Sequence, residues 1–178
     1  MSASGPSSWA ARFASLVPPG GSVLDLACGA GRHSRFFLAR GHPVTAVDRD
    51  TSGLADLRGE AGVEIVEFDL EAGAPFPFRG RAFDAVVATN YLHRPILPDV
   101  VSAVAAGGVL LYETFARGHE RLGRPQRPEF LLEPGELLEA VRGALRVVAY
   151  EDVILDEPPK AVQRIAAVRA PEHDPRPA

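Results

Sequence analysis

The sequence predicts an α/β domain built on a mostly parallel sheet. Short β-branched or apolar runs alternate with helix-like segments, and the chain of 178 residues has the length of a single globular domain. Hydrophobic residues make up 46% of the chain and charged residues 24%, which excludes a disordered protein. We therefore expect one domain over residues 1–178, with a core at about 20–170, an N-terminal helix or lid at 1–19 and a disordered tail at 171–178.

The first half of the chain predicts three parallel strands and two helices. Apolar and β-branched side chains form short runs at residues 22–27, 43–48 and 63–68. A helix over residues 32–40 ends at Gly41, as glycine commonly ends helices. A shorter helix begins after a cap at Asp50 or Thr51 and runs through Leu57.

The second half predicts two more parallel strands and a final antiparallel pair. The expected elements are strands at 83–88, 108–114, 145–153 and 161–168, and helices at 97–105 and after Pro134. Residues 156–159 form a turn signal between the last two strands, and strands joined by so short a link are antiparallel neighbours. Residues 116–128, rich in arginine, glycine and proline, predict a loop.

Charge, hydropathy and cysteine content exclude several classes of protein. The 19 basic and 23 acidic side chains give a net charge of −4, which disfavours a nucleic-acid partner. The longest mostly apolar stretch, residues 100–112, is shorter than the ~20 residues of a membrane-spanning helix, and the N-terminus lacks the pattern of a secretory signal. Cys28 is the only cysteine, so no internal disulfide or multi-cysteine metal site is expected. We expect a cytoplasmic protein without a metal; its oligomeric state is not predicted.

The strongest motif is the run VLDLACGAGR at residues 23–32. A strand containing Asp25 ends, a turn with Gly29 and Gly31 follows, and a helix begins, so the backbone can approach a ligand closely. The third glycine typical of nicotinamide and flavin sites is replaced by Ser34. An acid in the first strand suits a ligand that carries an ammonium group. The alternative is a tight turn that binds nothing.

Two further acids favour a ligand. Asp48 closes the second strand, 19 positions after Gly29, which is about the spacing at which an acid binds ribose hydroxyls. Asp69 follows the third strand, where a carboxylate could accept from an adenine amino group. Either acid alone could be a solvated loop residue. Because ligands of open α/β sheets bind at the carboxyl ends of the strands, three motifs at that edge argue against chance.

Four motifs together, VLDLACGAGR, VTAVD, EFDLE and FDAVVATNYLHR, resemble the class I S-adenosylmethionine-dependent methyltransferases over residues 22–168. The short chain, the CGAGRHS loop and the PEFLLEPGEL segment are similar to small bacterial enzymes of the tellurite-resistance methyltransferase type. The resemblance implies a Rossmann-like, doubly wound, mostly parallel seven-stranded sheet with an antiparallel last strand. It also implies S-adenosylmethionine as cofactor and S-adenosylhomocysteine as product, with no metal.

The resemblance further implies a set of cofactor-binding residues at the strand ends: Asp25, Ala27, Gly29, Gly31, Arg32, Asp48, Arg49, Asp69, Leu70 and Asn90. In this set Arg32 would meet the methionine carboxylate, Asp48 the ribose hydroxyls and Asp69 the adenine amino group. Asn90 would contact the methionine amino group through its backbone carbonyl. Ala27 departs from the family pattern, since many members have glycine there.

Two residues after the fourth strand are candidates for catalysis. His93 has an imidazole whose ordinary pKa near ~6.5 suits removal of a proton at neutral pH. Its alternative roles are capping the next helix or packing under a loop. Tyr91 is expected either to wall the pocket or to belong to the core. Residues 89–92 lack the acidic and proline-rich tetrapeptide of many amine methylators, which argues against adenine or glutamine nitrogen as acceptor.

A basic loop beside the predicted site suggests how an acceptor is recognised. Candidate substrate-binding residues follow the end of the fifth strand: Glu113, Arg117, Arg121, Arg124 and Arg127. The alternative is that the arginines form a solvated loop. We expect methyl transfer to a small, anionic or thiol-like acceptor. The alternatives are a cofactor-binding module without turnover, a catalytic subunit that methylates a macromolecule presented by a partner and, more distantly, a nicotinamide-dependent reductase.

Overall fold

The computed structural model describes residues 5–171, which form one seven-stranded sheet flanked by short helices. The strands are β1 (Val23–Leu26), β2 (Val44–Asp48), β3 (Val63–Glu67), β4 (Phe83–Thr89), β5 (Val104–Phe115), β6 (Arg146–Asp156) and β7 (Pro159–Val168). The α-helices are α1 (Ser8–Phe13), α2 (Arg32–Leu38), α3 (Leu97–Ser102) and α4 (Glu136–Val141). Single 3₁₀ turns or short 3₁₀ helices lie at Ala14–Leu16, Ser52–Leu57, Arg94–Ile96, His119–Arg121 and Pro128–Phe130.

The strand order is β3-β2-β1-β4-β5-β7-β6. The first five strands are parallel, and β7 lies antiparallel between β5 and β6. This topology confirms the predicted doubly wound, mostly parallel sheet with an antiparallel last strand. The order reverses direction between β1 and β4, and in open α/β sheets such a switch point opens a crevice at the carboxyl ends of the strands.

Alternation along β1 decides which side chains reach which face of the sheet. Leu24 and Leu26 pack in the cluster that contains α3 and α4. Val23 packs on the opposite face, with Trp9 of α1 and Phe37 of α2. Asp25 shares the parity of Val23, so its carboxylate is directed towards α2. The strand therefore delivers one buried acid to the start of that helix.

The N-terminal segment packs as part of the core. The Ser7 hydroxyl caps α1 by accepting a hydrogen bond from the Ala10 backbone N–H. Trp9 is 1% exposed, and its indole Nε1 donates to the Ile165 carbonyl at 3.0 Å. This contact fixes α1 against the sheet at β7. The expected tail at 171–178 lies, apart from Pro171, outside the described residues, as does His173.

Two predicted helices are shorter than expected, since α2 ends at Leu38 rather than at residue 40 and α3 also ends early, and the predicted helix after Asp50 or Thr51 is the 3₁₀ helix Ser52–Leu57. Helix α3 ends at Ser102 rather than at residue 105, because Val104 already pairs with Phe83 in the sheet. A register shift follows between Phe83 and Ala85, and Gly107 then takes a positive φ of 76° before β5 continues to Phe115. Among residues 5–171, no helix is long and apolar enough to cross a membrane.

Candidate active site

The glycine loop between β1 and α2 contains two glycines with different roles. Gly29 and Gly31 have φ values of 52° and 72°, in the left-handed region that favours glycine. A Cβ at Gly31 would collide with the Leu54 side chain. A Cβ at Gly29 would have nothing within 4 Å. Gly31 is thus required by packing, whereas Gly29 is exposed and has open space beside its backbone.

Asp25 is the buried acid behind this loop. It is 2% exposed, and its carboxylate accepts a hydrogen bond from the Ser34 hydroxyl at 2.6 Å. Burial raises the pKa of Asp25 to about 6, although the Ser34 hydrogen bond and the nearby Arg32 oppose that shift. Ser34 is therefore the positioning partner of Asp25. The sequence offered no signal for this contact beyond the missing third glycine.

Arg32 and Asp48 connect the glycine loop to the neighbouring strand ends. Arg32 Nη2 donates to the Thr89 hydroxyl at 3.2 Å, across to the end of β4. The Asp48 carboxylate accepts from the Gly29 backbone N–H at 2.8 Å and from the Asp50 N–H at 3.0 Å. These contacts hold the loop in a defined position at the carboxyl edge of the sheet.

A cavity of about 390 Å³ opens directly beside the loop. Its walls contain five of the residues expected to bind the cofactor, namely Ala27, Asp48, Arg49, Asp69 and Leu70. Phe68, Glu71, Tyr91 and Phe130 complete the lining. Phe68 and Glu71 flank Asp69 in the EFDLE motif, so the motif itself was a signal for them. Nothing in the sequence pattern singled out Phe130.

A second cavity, of about 290 Å³, adjoins the first. Its lining consists of Glu71, Asn90, Tyr91, Leu92, Thr114, Phe115, Pro125 and Phe130. Glu71, Tyr91 and Phe130 therefore line both cavities and mark the boundary between them. Asn90 lies on the second side, with a positive φ of 55° and its backbone N–H donating to the Glu113 carbonyl.

Tyr91 is the polar side chain at this boundary. Its hydroxyl is buried and has no hydrogen-bond partner among residues 5–171. Burial raises the pKa of the Tyr91 phenol, and the nearby carboxylate of Glu71 raises it further. The Tyr112 hydroxyl holds the Tyr91 backbone in place by donating to its carbonyl at 2.8 Å. Tyr91 thus lines both cavities, and its hydroxyl is a buried, protonated donor without a partner among residues 5–171.

His93, the other candidate for catalysis, lies away from both cavities. It is partly exposed and directly precedes the 3₁₀ turn Arg94–Ile96. Its side chain does not cap that turn, and its carbonyl accepts from the Ile96 N–H. The lining of the two cavities includes Tyr91 and not His93. Of the two, Tyr91 is therefore the residue that faces the candidate site.

Arg94, which the sequence analysis left without a role, fixes the segment that carries Phe130. Its guanidinium makes two hydrogen bonds to the Glu136 carboxylate, at 2.6 and 2.8 Å. It also donates to the carbonyls of Glu129 and Leu131, both at 2.9 Å. Because these carbonyls flank Phe130 in the chain, Arg94 sets the position of that ring over the cleft.

The arginines of the 116–128 loop do not line either cavity. Arg117 pairs with Glu133 at 2.8 Å and Arg127 with Glu129 at 3.5 Å, while Arg121 and Arg124 are exposed. The loop is held from within rather than flexible. Its buried His119 lies 4.3 Å from the Phe115 ring, and His119 Nε2 lies 2.9 Å from the Arg124 carbonyl oxygen. This arrangement matches the solvated-loop alternative better than a substrate clamp.

Glu113 is also removed from the two cavities. It is buried, and its carboxylate lies 3.4 Å from Arg164 Nη1. The same guanidinium bonds Glu151 and lies 4.8 Å from the centre of the Trp9 ring. The register Glu113↔Arg164 between β5 and β7 produces this placement. Glu113 therefore belongs to a network that attaches α1 to the sheet, and the structure does not place it in the wall of either cavity, where a substrate-binding residue was expected.

The cysteine and two of the histidines have roles in the packing of the fold. Cys28 is buried, and burial raises the pKa of its thiol, so it is not an activated nucleophile. His33 Nε2 accepts from the Ser7 backbone N–H at 3.1 Å, and His42 Nδ1 lies 3.0 Å from the Gly21 carbonyl oxygen. Within the described part of the chain, no three His, Cys, Asp or Glu side chains are grouped as a metal site.

Comparison with known proteins agrees with this fold. Residues 23–108 match the family model described as a methyltransferase domain. The chain has the class I methyltransferase fold, which confirms the fold predicted from its motifs. TehB from Haemophilus influenzae superposes with a TM-score of 0.68 at 22% identity, covering 89% of this chain and 60% of TehB. The fold is therefore of the TehB-like type.

Two further proteins are similar to this chain. One is the 1,6-didemethyltoxoflavin-N1-methyltransferase of Burkholderia thailandensis, solved with bound 1,6-didemethyltoxoflavin and S-adenosylhomocysteine. It superposes with a TM-score of 0.67 at 23% identity, and the match covers 90% of this chain and 76% of the Burkholderia chain. The malonyl-(acyl-carrier protein) O-methyltransferase of Salmonella typhimurium is 32% identical over 103 residues, which are 54% of this chain and 40% of that enzyme. The chain thus spans about two fifths of this curated relative.

Proposed function

We propose that this protein transfers the methyl group of S-adenosylmethionine to a small acceptor. The observation that carries the proposal is the pair of adjoining cavities at the carboxyl edge of the sheet, which share Tyr91 and Phe130 beside the glycine loop. The larger cavity suits the cofactor and the smaller one the acceptor. When bound, S-adenosylmethionine supplies a methyl group activated by its sulfonium.

The residues present fit that cofactor. Gly29 leaves its side of the loop open, and Asp48 has lone pairs beyond the two hydrogen bonds it accepts, so its carboxylate can bind ribose hydroxyls. Asp69 and Leu70 would hold the adenine. The buried Tyr91 hydroxyl, which has no partner within residues 5–171, would gain one from a bound ligand. An unmade hydrogen bond there costs ~1–3 kcal/mol, so a ligand would relieve it.

The chain's own contribution to transfer would be alignment and exclusion of water. The smaller cavity has walls formed mainly by Leu92, Phe115, Pro125 and Phe130, which limit the acceptor to a small molecule. Because the pKa of Tyr91 is raised, its hydroxyl stays protonated at neutral pH and acts as a donor rather than a base. The protein would work in the cytoplasm without a nucleic-acid or membrane partner.

Release of S-adenosylhomocysteine tests this proposal. The purified protein would be incubated with S-adenosylmethionine and a panel of small amines, thiols and oxyanions, with malonyl-acyl-carrier protein as a macromolecular arm. Turnover of a small acceptor supports the proposal. Tight cofactor binding without turnover on any acceptor would favour a binding module, and turnover of the carrier-bound substrate alone would favour a macromolecular one. Binding of NADH instead of S-adenosylmethionine would overturn the assignment.

A further inference from the structure

The smaller cavity combines aromatic walls with a single charge. We propose that it takes a planar aromatic acceptor whose reacting group is an amine or ring nitrogen, and that Glu71 selects against anions there. The inference rests on the proposed function and identifies its acceptor. It departs from the anionic acceptor predicted from the arginine-rich loop, and it concerns nitrogen acceptors other than the adenine and glutamine nitrogens that residues 89–92 argue against.

The shape of the cavity favours a flat ring. Three aromatic side chains, Tyr91, Phe115 and Phe130, line it together with Leu92 and Pro125. Two of the rings are fixed from behind, since Phe115 packs on His119 and Arg94 holds both carbonyls that flank Phe130. Rigid aromatic walls bind a planar ligand by offset or edge-to-face contact without a large ordering cost.

The charge of the cavity disfavours an anion. Within residues 5–171, its lining contains one charged side chain, the carboxylate of Glu71. The carboxylates of Glu71, Asp69 and Asp48 are near enough to raise the pKa of Tyr91. An anionic acceptor would meet this negative field, whereas an amine or its cation would be attracted by it and by the ring faces.

Three of the neighbouring cations are held by other partners, and Arg49 lines the larger cavity but not the smaller one. Arg94 is held by Glu136 through two hydrogen bonds. Arg117 pairs with Glu133, and Arg32 donates to Thr89. Neither the paired nor the exposed arginines of the 116–128 loop reach the cavity wall.

The transfer to nitrogen balances with groups already described. The lone pair of the acceptor nitrogen forms the new N–C bond, while the S–C bond breaks and its electrons stay on sulfur. When the acceptor is an amine or a ring nitrogen that carries a hydrogen, the methylated nitrogen is positively charged and then loses that proton. Glu71, which is exposed and lines both cavities, can accept that proton and release it to water. No oxidant, metal or further reactant is needed.

Paired probes that share one ring test the inference by binding alone. Protein saturated with S-adenosylhomocysteine would be titrated with 6-aminoquinoline and with quinoline-6-carboxylate, following ligand fluorescence. We expect the amine to bind about tenfold more tightly than the carboxylate, since like charges repel across the site. E71Q should reduce that ratio severalfold, and F130A should weaken both probes together. The matched control E129Q changes an exposed acid outside both cavities and should leave the ratio unchanged.

The outcomes separate this inference from the proposed function. A carboxylate that binds as tightly as the amine, or a ratio unchanged in E71Q, would overturn the inference while cofactor binding persists. The same holds if neither probe binds at millimolar concentration to the protein saturated with S-adenosylhomocysteine. Failure to bind S-adenosylhomocysteine itself would refute the proposed function instead.

Discussion

The Asp48 carboxylate accepts a hydrogen bond from the backbone N–H of Gly29 at 2.8 Å. This contact joins the end of β2 to the glycine loop across 19 residues of sequence. The acid that we expect to bind ribose therefore also positions the loop that faces the cofactor. The Asp48 side chain thus connects the local structure of the loop to the candidate binding site.

The two glycines of the loop should respond differently to alanine. Gly31→Ala should destabilise the protein strongly, because the new Cβ collides with Leu54. Gly29→Ala should cost only about 1–2 kcal/mol in the free energy of unfolding, from its positive φ, yet should abolish cofactor binding by placing a methyl group where we expect the cofactor to approach the loop. Gly41→Ala has a positive φ and open surroundings away from the site, so it is the matched control.

Urea unfolding and titration with S-adenosylhomocysteine would measure both effects. If Gly29→Ala and Gly41→Ala bind the ligand equally well, Gly29 does not face the cofactor.

Asp25→Asn should stabilise the protein above neutral pH. Burial raises the pKa of Asp25 from 3.8 to about 6, so the folded state binds that proton more tightly than the unfolded chain does. The corresponding stability is fully present below pH 3.8 and is lost as the pH rises through about 6. The free energy of unfolding of the asparagine variant, taken relative to that of the parent, should therefore be roughly 2–3 kcal/mol higher at pH 8 than at pH 4. Equal differences at the two pH values, measured by urea unfolding, would contradict this.

His33 should produce the opposite pH dependence. Burial lowers its pKa from 6.5 to about 4, with a smaller contribution from Arg32. Its stability contribution is present above pH 6.5 and is lost as the pH falls through about 4, because protonation removes the acceptor for the Ser7 N–H. In the parent, the free energy of unfolding should fall by roughly 2–3 kcal/mol over this range of pH, and His33→Gln should reduce that fall. Unfolding curves that keep the parent's slope between pH 4 and 6.5 would rule the assignment out.

Replacement of Arg94 should destabilise the protein more than replacement of Arg117, the other paired arginine nearby. Arg94→Lys loses the two-pronged contact with Glu136 and at least one of the carbonyl contacts beside Phe130, which should cost about 1–3 kcal/mol. Arg117→Lys, at an exposed single pair, should change stability by less than about 1 kcal/mol. Thermal unfolding of both variants measures the difference, and equal losses would show that Arg94 does not hold this segment.

Local patterns in the sequence predicted the parts of the site that lie within single motifs. The sequence predicts the strand ends, the glycine loop and the acids Asp48 and Asp69. Each of them can be predicted because it lies at a regular position within its own βα unit. The structure brings Asp48 and Asp69 to one cavity, together with Ala27. The five parallel strands and the antiparallel pair follow from hydrophobic runs and turn lengths alone.

The rest of the site depends on contacts between distant segments. Arg94 and Glu136 are 42 residues apart, and their contact places Phe130, whose role no local pattern reveals. The role of Glu113 depends on its register opposite Arg164, which only the β5–β7 pairing decides. Helix α3 ended early for the same reason, because Val104 pairs with Phe83.

Binding of S-adenosylhomocysteine to the parent and to Asp48→Ala, measured by calorimetry, tests the central claim most directly. The parent should bind at one saturable site. Asp48→Ala should lose a pair of charge-assisted hydrogen bonds to ribose, each worth roughly 1.5–3 kcal/mol, and the tie to Gly29. Asp50→Ala removes a neighbouring exposed acid that accepts from the Ser52 N–H and lines neither cavity, and this variant should bind like the parent. A parent that does not bind the ligand, or an Asp48→Ala variant that binds it with unchanged affinity, would contradict the claim that this cleft holds the cofactor.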